Sequence, residues 1–431
     1  MKALKKAFTK AFMQKLSALL AAVILLPACP ACPAEGESAP TGGEAAAPRT
    51  VTSGKWTLEV REDGTGKITG YSGTSVTALE IPEELDGIPV TAIGDQAFDN
   101  SRKLETVRIP ASVTEIGVNP FVLCIKLQEI TVAENHPCFE SRDGVLYDTR
   151  DLRLIACPPA LPAPAFAVPA DVKAIGSLAF CRCAAVANVS IPASVTEIGA
   201  NPFALCTGLA EFRVAEGSPS FEVKENALCE KQSGRLISYP CGRTETAYAV
   251  PEGIRTIGEM AFCRCVSLQE ITLPASVSAL EPGAFFECTG LTAAVIPEGV
   301  TEIPDRAFSA CEVLSSVTLP GGVSRIGNWA FFGCMSLPEI VLPQSLAEIG
   351  YYAFSHCSSL AAVEIPEGTL TLGPWAFSDC ENLQEAALPA SVGSIGYHAF
   401  DACAEGFLLT GPEGSYARQY ARDSQLPFEA R

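Results

Sequence analysis

The feature that most constrains the fold of this chain is a repeat of 23 residues. Each repeat starts with isoleucine, leucine or valine followed by proline, and Val132 and Val214 keep the same phase without the proline. One such segment cannot enclose its own apolar side chains, so successive segments bury them against one another, which is the arrangement of a solenoid. The pairs begin at Ile109, Val168, Ile191, Val250, Leu273, Ile296, Leu319, Leu342, Ile365 and Leu388.

Two of the coils are longer than the rest. The step to the next coil is 36 residues after Val132 and again after Val214. The segments 143–158 and 225–240 within these coils each hold two apolar runs around a polar turn. This pattern predicts a β-hairpin in each long coil.

Within a coil, the apolar spacing indicates short strands. With the first residue of the pair numbered zero, apolar or small residues recur at positions 0, 4, 7, 11, 12, 15, 18 and 21. At the end of the coil, apolar and polar residues alternate as they do in a β-strand. The proline that follows has no N–H to donate to a neighbouring strand, so the strand ends there. Alanine and phenylalanine at positions 11 and 12 predict a short helical turn on the opposite side.

A glycine recurs at position 8, where we expect a turn with positive φ, a conformation that glycine adopts without steric cost. It occurs at Gly117, Gly199, Gly258, Gly327, Gly350 and Gly396.

The repeat LxxIxIPxxVxxIGxxAFxxC resembles that of the bacterial surface protein A (BspA-type) leucine-rich repeat family, over about residues 54–431. Gly54–Phe98 is similar to the N-terminal β cap of that family, and Leu408–Phe428 to its closing strand and capping helix. The resemblance implies a leucine-rich-repeat solenoid of about thirteen coils, with short parallel β-strands on one face and short helical turns or loops on the other. It also implies a surface or secreted protein that acts as an adhesin.

The predicted organisation has five segments. These are a signal peptide of lipoprotein type (1–28), a flexible tether (29–53), the β cap (54–80), the solenoid with its two hairpin-bearing coils (81–410) and a C-terminal cap with a helix (411–431).

The N-terminus predicts export and a lipid anchor. Lysines precede the apolar run Ser17–Leu26, which is too short to span a bilayer but suits the core of a signal peptide. Leu-Pro-Ala-Cys then resembles a bacterial lipobox, in which Cys29 would be the lipidated first residue. The alternative is ordinary cleavage near Ala31 or Ala34, which would give a secreted protein. The following residues are rich in Pro, Ala, Gly, Glu, Ser and Thr, a composition typical of a tether.

The charge of the chain limits its partners. Its 49 acidic and 30 basic residues give a formal net charge of −19. An acidic surface repels nucleic acid phosphates and anionic lipids. We therefore expect no nucleic acid partner and contact with a membrane only through the lipid anchor.

Cysteines form a column at position 15, one in most coils. Zinc sites bring ligands together in clusters, often as CxxC pairs, and a 23-residue interval provides no such cluster. Buried free cysteine packs as a small hydrophobe, so we interpret the column as core packing. For Cys138, Cys157, Cys229 and Cys241, which lie in the long coils, a disulfide in each coil stays an alternative.

The sequence lacks the motifs of common enzyme active sites. It contains no GxSxG, HExxH, P-loop or EF-hand pattern, and only three histidines. We predict no catalytic residue, no metal ligand and no cofactor.

Two surfaces are candidates for binding. The first, the strand face, consists of the side chains at positions 20 and 22, which point away from the core; plain solvent exposure is the alternative. Its candidate residues are Arg108, Thr131, Arg213, Glu270, Thr272, Thr318 and Glu364.

The second, the aromatic stripe, occupies positions 9 and 10 of the last four full coils. Such rings could stack on sugars or bury apolar side chains of a partner, but packing on one another is the favoured interpretation. Its residues are Trp329, Tyr351, Tyr352, Trp375, Tyr397 and His398.

The leading hypothesis is a non-enzymatic, lipid-anchored surface protein that binds a macromolecule, either a protein or a glycan of a host or neighbouring cell. A structural spacer without a ligand is the alternative, and a glycan- or peptide-processing enzyme is a weaker one, because repeats fill the chain and leave no room for a catalytic domain.

Overall fold

A computed structural model describes residues 49–99 and 101–431. The chain divides into two compact units. The first extends to Leu161 and includes Gly176–Arg182; the second comprises Pro162–Ile175 and Cys183–Arg431. The predicted signal peptide, Cys29 and most of the tether lie outside the described residues.

The first unit begins with the predicted β cap. Strands β1 (Arg49–Ser53), β2 (Trp56–Val60) and β3 (Gly66–Tyr71) form an antiparallel meander. Strand β1 pairs along its whole length with β2 and lies at the C-terminal end of the segment predicted as a tether, 29–53. Strand β3 then pairs in parallel with β6 (Ile88–Ile93), which starts the stack of coils.

The coils of the first unit continue this stack. The further strands of this unit are β4 (Ala78–Glu80), β5 (Glu84–Leu85), β7 (Thr106–Ile109), β8 (Glu115–Ile116), β9 (Glu129–Val132), β10 (Phe139–Arg142), β11 (Val145–Asp148) and β12 (Arg153–Ala156). Parallel pairing joins β4, β7 and β9, and it also joins β6 to β8. The long coil contains the predicted hairpin, β11 and β12, and a further antiparallel strand, β10, precedes it.

In the second unit, the predicted strands at the end of each coil form parallel ladders on the strand face. Partners in neighbouring strands are 23 residues apart, as in Ala293 and Ser316. These strands are β13 (Ala165–Ala167), β15 (Asn188–Ile191), β17 (Glu211–Val214), β21 (Ala247–Ala249), β23 (Glu270–Thr272), β25 (Ala293–Val295), β27 (Ser316–Thr318), β30 (Ala362–Glu364), β32 (Glu385–Ala387) and β34 (Leu408–Gly411).

A second column of strands, at positions 6 and 7, was missed by the sequence analysis. Each of these strands has only two residues; in β28, for example, Arg325 faces outward and Ile326 faces inward. Two residues are too few to show an alternating pattern in the sequence. These strands are β14 (Ala174–Ile175), β16 (Glu197–Ile198), β22 (Thr256–Ile257), β24 (Ala279–Leu280), β26 (Glu302–Ile303), β28 (Arg325–Ile326), β29 (Glu348–Ile349), β31 (Thr371–Leu372) and β33 (Ser394–Ile395).

The second long coil contains its predicted hairpin, and the predicted strand and helix close the C-terminal end of the unit. Strands β18 (Phe221–Lys224), β19 (Ala227–Glu230) and β20 (Arg235–Ser238) are antiparallel neighbours. At the C-terminus, helix α1 (Tyr416–Asp423) lies between β34 and β35 (Phe428–Ala430), with Ala417, Tyr420 and Ala421 buried. Among the described residues, no helix has the length and apolar character needed to cross a membrane.

Pro338 interrupts the ladder of the strand face. In the preceding coil, the N–H of Ser315 at the same position donates to the carbonyl of Thr292. Proline has no N–H, so this bond is lost and residues 339–341 form no strand. The strand face is therefore divided into a sheet that ends at β27 and a sheet that starts at β30.

The core of the second unit is organised around the phenylalanines at position 12. Their rings stack with centroids 5.0 to 5.4 Å apart and planes within 17° of parallel. This column comprises Phe262, Phe285, Phe308, Phe331, Phe354, Phe377 and Phe400.

The prediction for the glycines at position 8 was wrong. None of the six has a positive φ. They are needed for close approach between coils: a Cβ on Gly350 would lie 2.7 Å from the backbone nitrogen of Asn328, and one on Gly396 would lie 2.2 Å from that of Pro374. Positive φ occurs instead at positions 10 and 14, as in Trp375 and Asp379.

These left-handed residues also explain why positions 9 to 14 form turns and not a helix. The N–H groups of Ala330 and Phe332 donate to the carbonyls three residues earlier, of Gly327 and Trp329. The left-handed residue at position 10 reverses the backbone twist within this turn, so a second helical turn does not follow. We call this part of each coil, positions 8 to 15, the turn side.

Candidate functional site

The cysteine column lies inside the turn side, as predicted. Nine of its ten members are buried, Cys403 is half-buried, and none of the ten forms a disulfide. Each thiol from Cys288 onward also donates to the carbonyl of a phenylalanine in the coil before it, at 3.3 Å from Cys334 to Phe308 and 3.2 Å from Cys357 to Phe331. This bond was not predicted, and it gives a second donor to a carbonyl that already accepts a backbone N–H of its own coil.

Burial also makes these thiols poor nucleophiles. Desolvation raises the pKa of Cys357 to about 12, because the thiolate form loses its hydration in the interior. The four cysteines of the long coils are likewise buried, and none of them forms the alternative disulfide. Within the described residues, no group of histidine, cysteine or acidic side chains is arranged to hold a metal ion.

The aromatic stripe forms a stack along the coils. Ring centroids are 5.9 Å apart for Trp329 and Tyr352, 4.9 Å for Tyr352 and Trp375, and 5.6 Å for Trp375 and His398, and each pair is close to parallel. Tyr351 and Tyr397 meet Trp329 and Trp375 edge-on, at 4.4 and 4.3 Å. The faces of the inner rings are thus covered by other rings.

The stack agrees with the packing interpretation of the stripe. Trp329, Tyr351, Tyr352 and Trp375 are half-buried, whereas Tyr397 and His398 are exposed. Since a sugar stacks on the face of a ring, the covered rings offer it only their edges. Binding by this stripe stays a prediction.

A cation extends the stack at its N-terminal end. The guanidinium carbon of Arg306, also at position 10, lies 4.6 Å from the ring centre of Trp329. Burial lowers the pKa of this guanidinium, and no side-chain acceptor bonds its Nε within the described structure. The 23-residue spacing places Arg306 in the same column as Trp329, but this cation–π contact was not predicted.

The strand-face candidates lie where the sequence predicted, with one difference. Arg213, Glu270, Thr272, Thr318 and Glu364 are exposed in the second unit. In the first unit Arg108 is exposed and Thr131 is half-buried, because its hydroxyl donates to the carbonyl of Val107 at 3.2 Å.

Both arginines of the strand face already have acidic neighbours on that face. Arg213 donates to both carboxylate oxygens of Glu211, at 2.8 and 2.9 Å, and Arg108 lies 3.7 Å from Glu80. Surface pairs of this kind contribute at most about 1 kcal/mol each. They reduce the number of charges that are free to meet a partner.

The most exposed apolar side chains of the strand face were overlooked by the sequence analysis. Val341 is 80% exposed and Val295 is 65% exposed, and both stand at position 22. The predicted candidates at this position are polar, although the same spacing also places these valines there. Between Ala247 and Ala387, positions 20 and 22 contain four glutamates and no lysine or arginine.

Comparison with known protein families identifies the repeat. A model described as BspA type leucine rich repeat region matches the chain in six copies, over residues 69–161, 163–247, 239–357 and 301–406. No curated protein sequence is significantly similar to the chain.

Solved structures of bacterial leucine-rich repeat proteins are similar to this chain. One from Eubacterium ventriosum is 22% identical, with a TM-score of 0.57, and the match covers 83% of this chain and 96% of that one. One from Bacteroides ovatus is 25% identical, with a TM-score of 0.44 and coverage of 88% and 99%. A leucine rich cell surface protein from Faecalibacterium prausnitzii is 25% identical, with a TM-score of 0.37 and coverage of 88% and 98%. The first of these similarities shows a shared fold.

Proposed function

Because the chain belongs to the BspA-type leucine-rich repeat family, we propose that it is a non-enzymatic cell-surface protein that binds a macromolecular partner through its strand face, in the manner of an adhesin. The observation that carries this proposal is the exposure of Val295 and Val341 on that face. Exposed apolar side chains that align on one face favour a contact surface over simple hydration.

The partner that best fits this face is a protein. The valines offer apolar contact, and the surrounding threonines and glutamates offer a polar rim, which is the usual anatomy of a protein interface. A glycan partner would need ring faces, and the inner rings of the aromatic stripe use theirs within the stack.

A spacer without a ligand is the second candidate. The regular ladders of phenylalanine and cysteine support it, because they need no partner to explain them. A role as an enzyme has less support. The sequence lacks catalytic motifs, and the raised pKa of thiols such as Cys357 makes them unsuited to nucleophilic attack.

We propose attachment to the membrane through a lipid on Cys29, on the basis of the preceding lysines, apolar run and lipobox-like sequence. Metabolic labelling with a fatty acid should label the full chain. A Cys29→Ala variant should lose the label and leave the membrane fraction, and an unchanged distribution of this variant would favour simple secretion.

The binding proposal is tested with the full chain and one double variant. Purified protein is titrated onto intact cells from its native environment, and we expect saturable binding. Val295→Glu with Val341→Glu should weaken it about tenfold or more, since charges replace central apolar contacts. The matched control is Val266→Glu, which changes a 53% exposed valine outside the strand face and should leave binding unchanged.

The other outcomes distinguish the alternatives. Loss of binding after protease treatment of the cells supports a protein partner, and loss after glycosidase treatment supports a glycan. Binding that rises linearly without saturation, or that the double variant does not alter, contradicts the strand-face proposal and favours the spacer.

A further inference from the structure

The strand face of the second unit contains an apolar patch. On most of its strands the inward-facing residue is buried, as for Ala294 and Val363, which are 3% and 4% exposed. On β23 and β27, the corresponding residues and the leucines that follow them are only half-buried. Solvent therefore reaches these apolar side chains as well as the two exposed valines. The apolar patch consists of Ile271, Leu273, Val295, Val317, Leu319 and Val341.

The hydrogen bonds between coils are incomplete at the two leucines of the apolar patch. In the coil between them, the N–H of Ile296 donates to the carbonyl of Thr318 in the next coil at 3.0 Å. Within the described residues, the N–H groups of Leu273 and Leu319 make no such bond. Strand β23 is also paired with β25 at a single residue pair. The apolar patch therefore lies where the ladder of the strand face has lost bonds.

Glutamates border the apolar patch, and they are not neutralised within the described part of the chain. Glu270, Glu339 and Glu364 are exposed and form no ion pair or side-chain hydrogen bond there. Glu339 precedes Val341 by two residues, and Glu364 stands at the same position in the next coil. A partner that covers the apolar patch therefore brings its own groups against these carboxylates, and positive charges fit them best.

This charge disfavours several other occupants of the strand face. A second copy of the chain would place glutamates against glutamates, because positions 20 and 22 contain no lysine or arginine between Ala247 and Ala387. Anionic lipids and acidic sugars are repelled for the same reason. A neutral sugar would leave the carboxylates without counter-charges. A basic protein element remains as the occupant that uses both the apolar patch and its rim.

The spacing of the coils indicates the shape of this element. Parallel strands lie about 4.8 Å apart, and the stacked rings of Phe285, Phe308 and Phe331 in the same coils repeat every 5.0 to 5.4 Å. An α-helix rises about 5.4 Å per turn, so a helix along the stack brings one side chain to each coil. Side chains seven residues apart then reach Val295 and Val341, which are two coils apart. An extended strand repeats a face about every 6.8 Å and would be displaced by about 3 Å after two coils.

We propose that the strand face binds a basic amphipathic helix of a partner protein. The apolar side chains of the helix lie on the apolar patch, and its lysines or arginines pair with Glu270, Glu339 and Glu364. This inference rests on the proposed binding role of the strand face and specifies the element of the partner that it contacts. An apolar centre with a charged rim is the usual arrangement of helix-binding surfaces.

The first test is a titration of the full chain with a labelled synthetic peptide, followed by fluorescence anisotropy. The peptide has about 18 residues, which is long enough for a stable helix, with leucine at every third or fourth position and lysine elsewhere. One control peptide has glutamate in place of lysine, and the other keeps the lysines but has a central proline that breaks the helix. We expect both controls to bind at least about tenfold more weakly, and added salt to weaken binding of the lysine peptide.

A triple variant tests the rim of the apolar patch. Glu270→Gln, Glu339→Gln and Glu364→Gln together should weaken binding of the lysine peptide about tenfold, since three exposed charge pairs are lost. The same variant should make binding less sensitive to salt. All three residues are exposed, so an unchanged thermal midpoint confirms that the fold is intact.

The matched control changes the net charge by the same amount elsewhere. It combines Glu62→Gln, Glu381→Gln and Glu405→Gln, at exposed glutamates outside the strand face, and should change binding less than about twofold. Equal effects of the two triple variants would show attraction to the acidic chain as a whole and would overturn the proposal.

Two further results would overturn the helix inference alone. One is binding of either control peptide as tightly as the lysine peptide. The other is saturable binding of cells that the Val295→Glu and Val341→Glu double variant weakens, together with no binding of the lysine peptide up to about 1 mM. If the cell titration fails while the peptides and variants behave as predicted, the proposed cell-surface role is wrong and the helix site stands.

Discussion

The two sides of the coils in the second unit differ in how far their side chains vary from coil to coil. On the turn side, position 12 is phenylalanine and position 15 is cysteine in every coil from Val250 to Leu388. On the strand face, the residue at position 22 varies among the same coils and includes threonine, valine and glutamate. The comparison indicates that the turn side specifies the fold, while the strand face is free to specify a partner.

Close spacing accounts for the uniformity of the turn side. The N–H of Phe331 donates to the carbonyl of Ala353 in the next coil at 2.8 Å, and the rings of Phe331 and Phe354 stack at 5.2 Å. A side chain of another size in such a column would disturb both neighbours, because interiors are closely packed. On the strand face the side chains point into solvent, so a side chain of another size can extend outward without displacing its ladder neighbours.

The largest expected effect is that of Phe331→Ala. Removing a fully buried ring from the column should lower the free energy of unfolding by about 3–5 kcal/mol. Val341→Ala on the strand face should change it by no more than about 0.5 kcal/mol. Urea unfolding followed by circular dichroism measures both, and equal losses would contradict the division between the two sides.

A smaller effect is expected from Gly350→Ala. The added Cβ would meet the backbone of the preceding coil, and overpacking of this kind costs about 1–3 kcal/mol. Gly393→Ala is the matched control, since a Cβ there meets nothing within 4 Å. The control should be neutral or slightly stabilising. If both variants unfold at the same urea concentration, close approach between coils does not explain the glycine at position 8.

The smallest differences are expected at Trp375, which has a φ of 53°. Trp375→Ala should cost about 2 kcal/mol through lost stacking on Tyr352 and His398. Trp375→Gly should be about 0.5–1 kcal/mol more stable than the alanine variant, because glycine adopts the left-handed backbone without strain. Thermal unfolding of the three proteins gives the order, and an alanine variant that is the more stable of the two would contradict it.

The sequence predicted the features that depend on spacing along the chain. The strands at the end of each coil, the hairpins in the long coils, both caps and the buried cysteine column follow from apolar periodicity and turn patterns. Strand β1 was not predicted, because its residues have the composition of a tether and their pairing with β2 is not visible in composition.

Features that depend on contacts between coils were not predicted. The role of Gly350 depends on how near Asn328 of the preceding coil lies. The cation–π contact of Arg306 likewise depends on the left-handed turn that points it at Trp329. The sequence contains these residues, but their neighbours are fixed only by the stacked backbone.

The most direct test of the account is alkylation of the cysteines in the folded chain, mapped by mass spectrometry. With a pKa of about 12 for Cys357 and Cys403, only about 10⁻⁴ of either thiol is ionised at pH 8, and the rate should rise about tenfold for each pH unit up to that pKa. We predict that the buried cysteines of the column stay unmodified in the native protein, that half-buried Cys403 reacts first among them, and that all react in urea. Equal modification of the column in native protein and in urea would contradict a shared interior on the turn side.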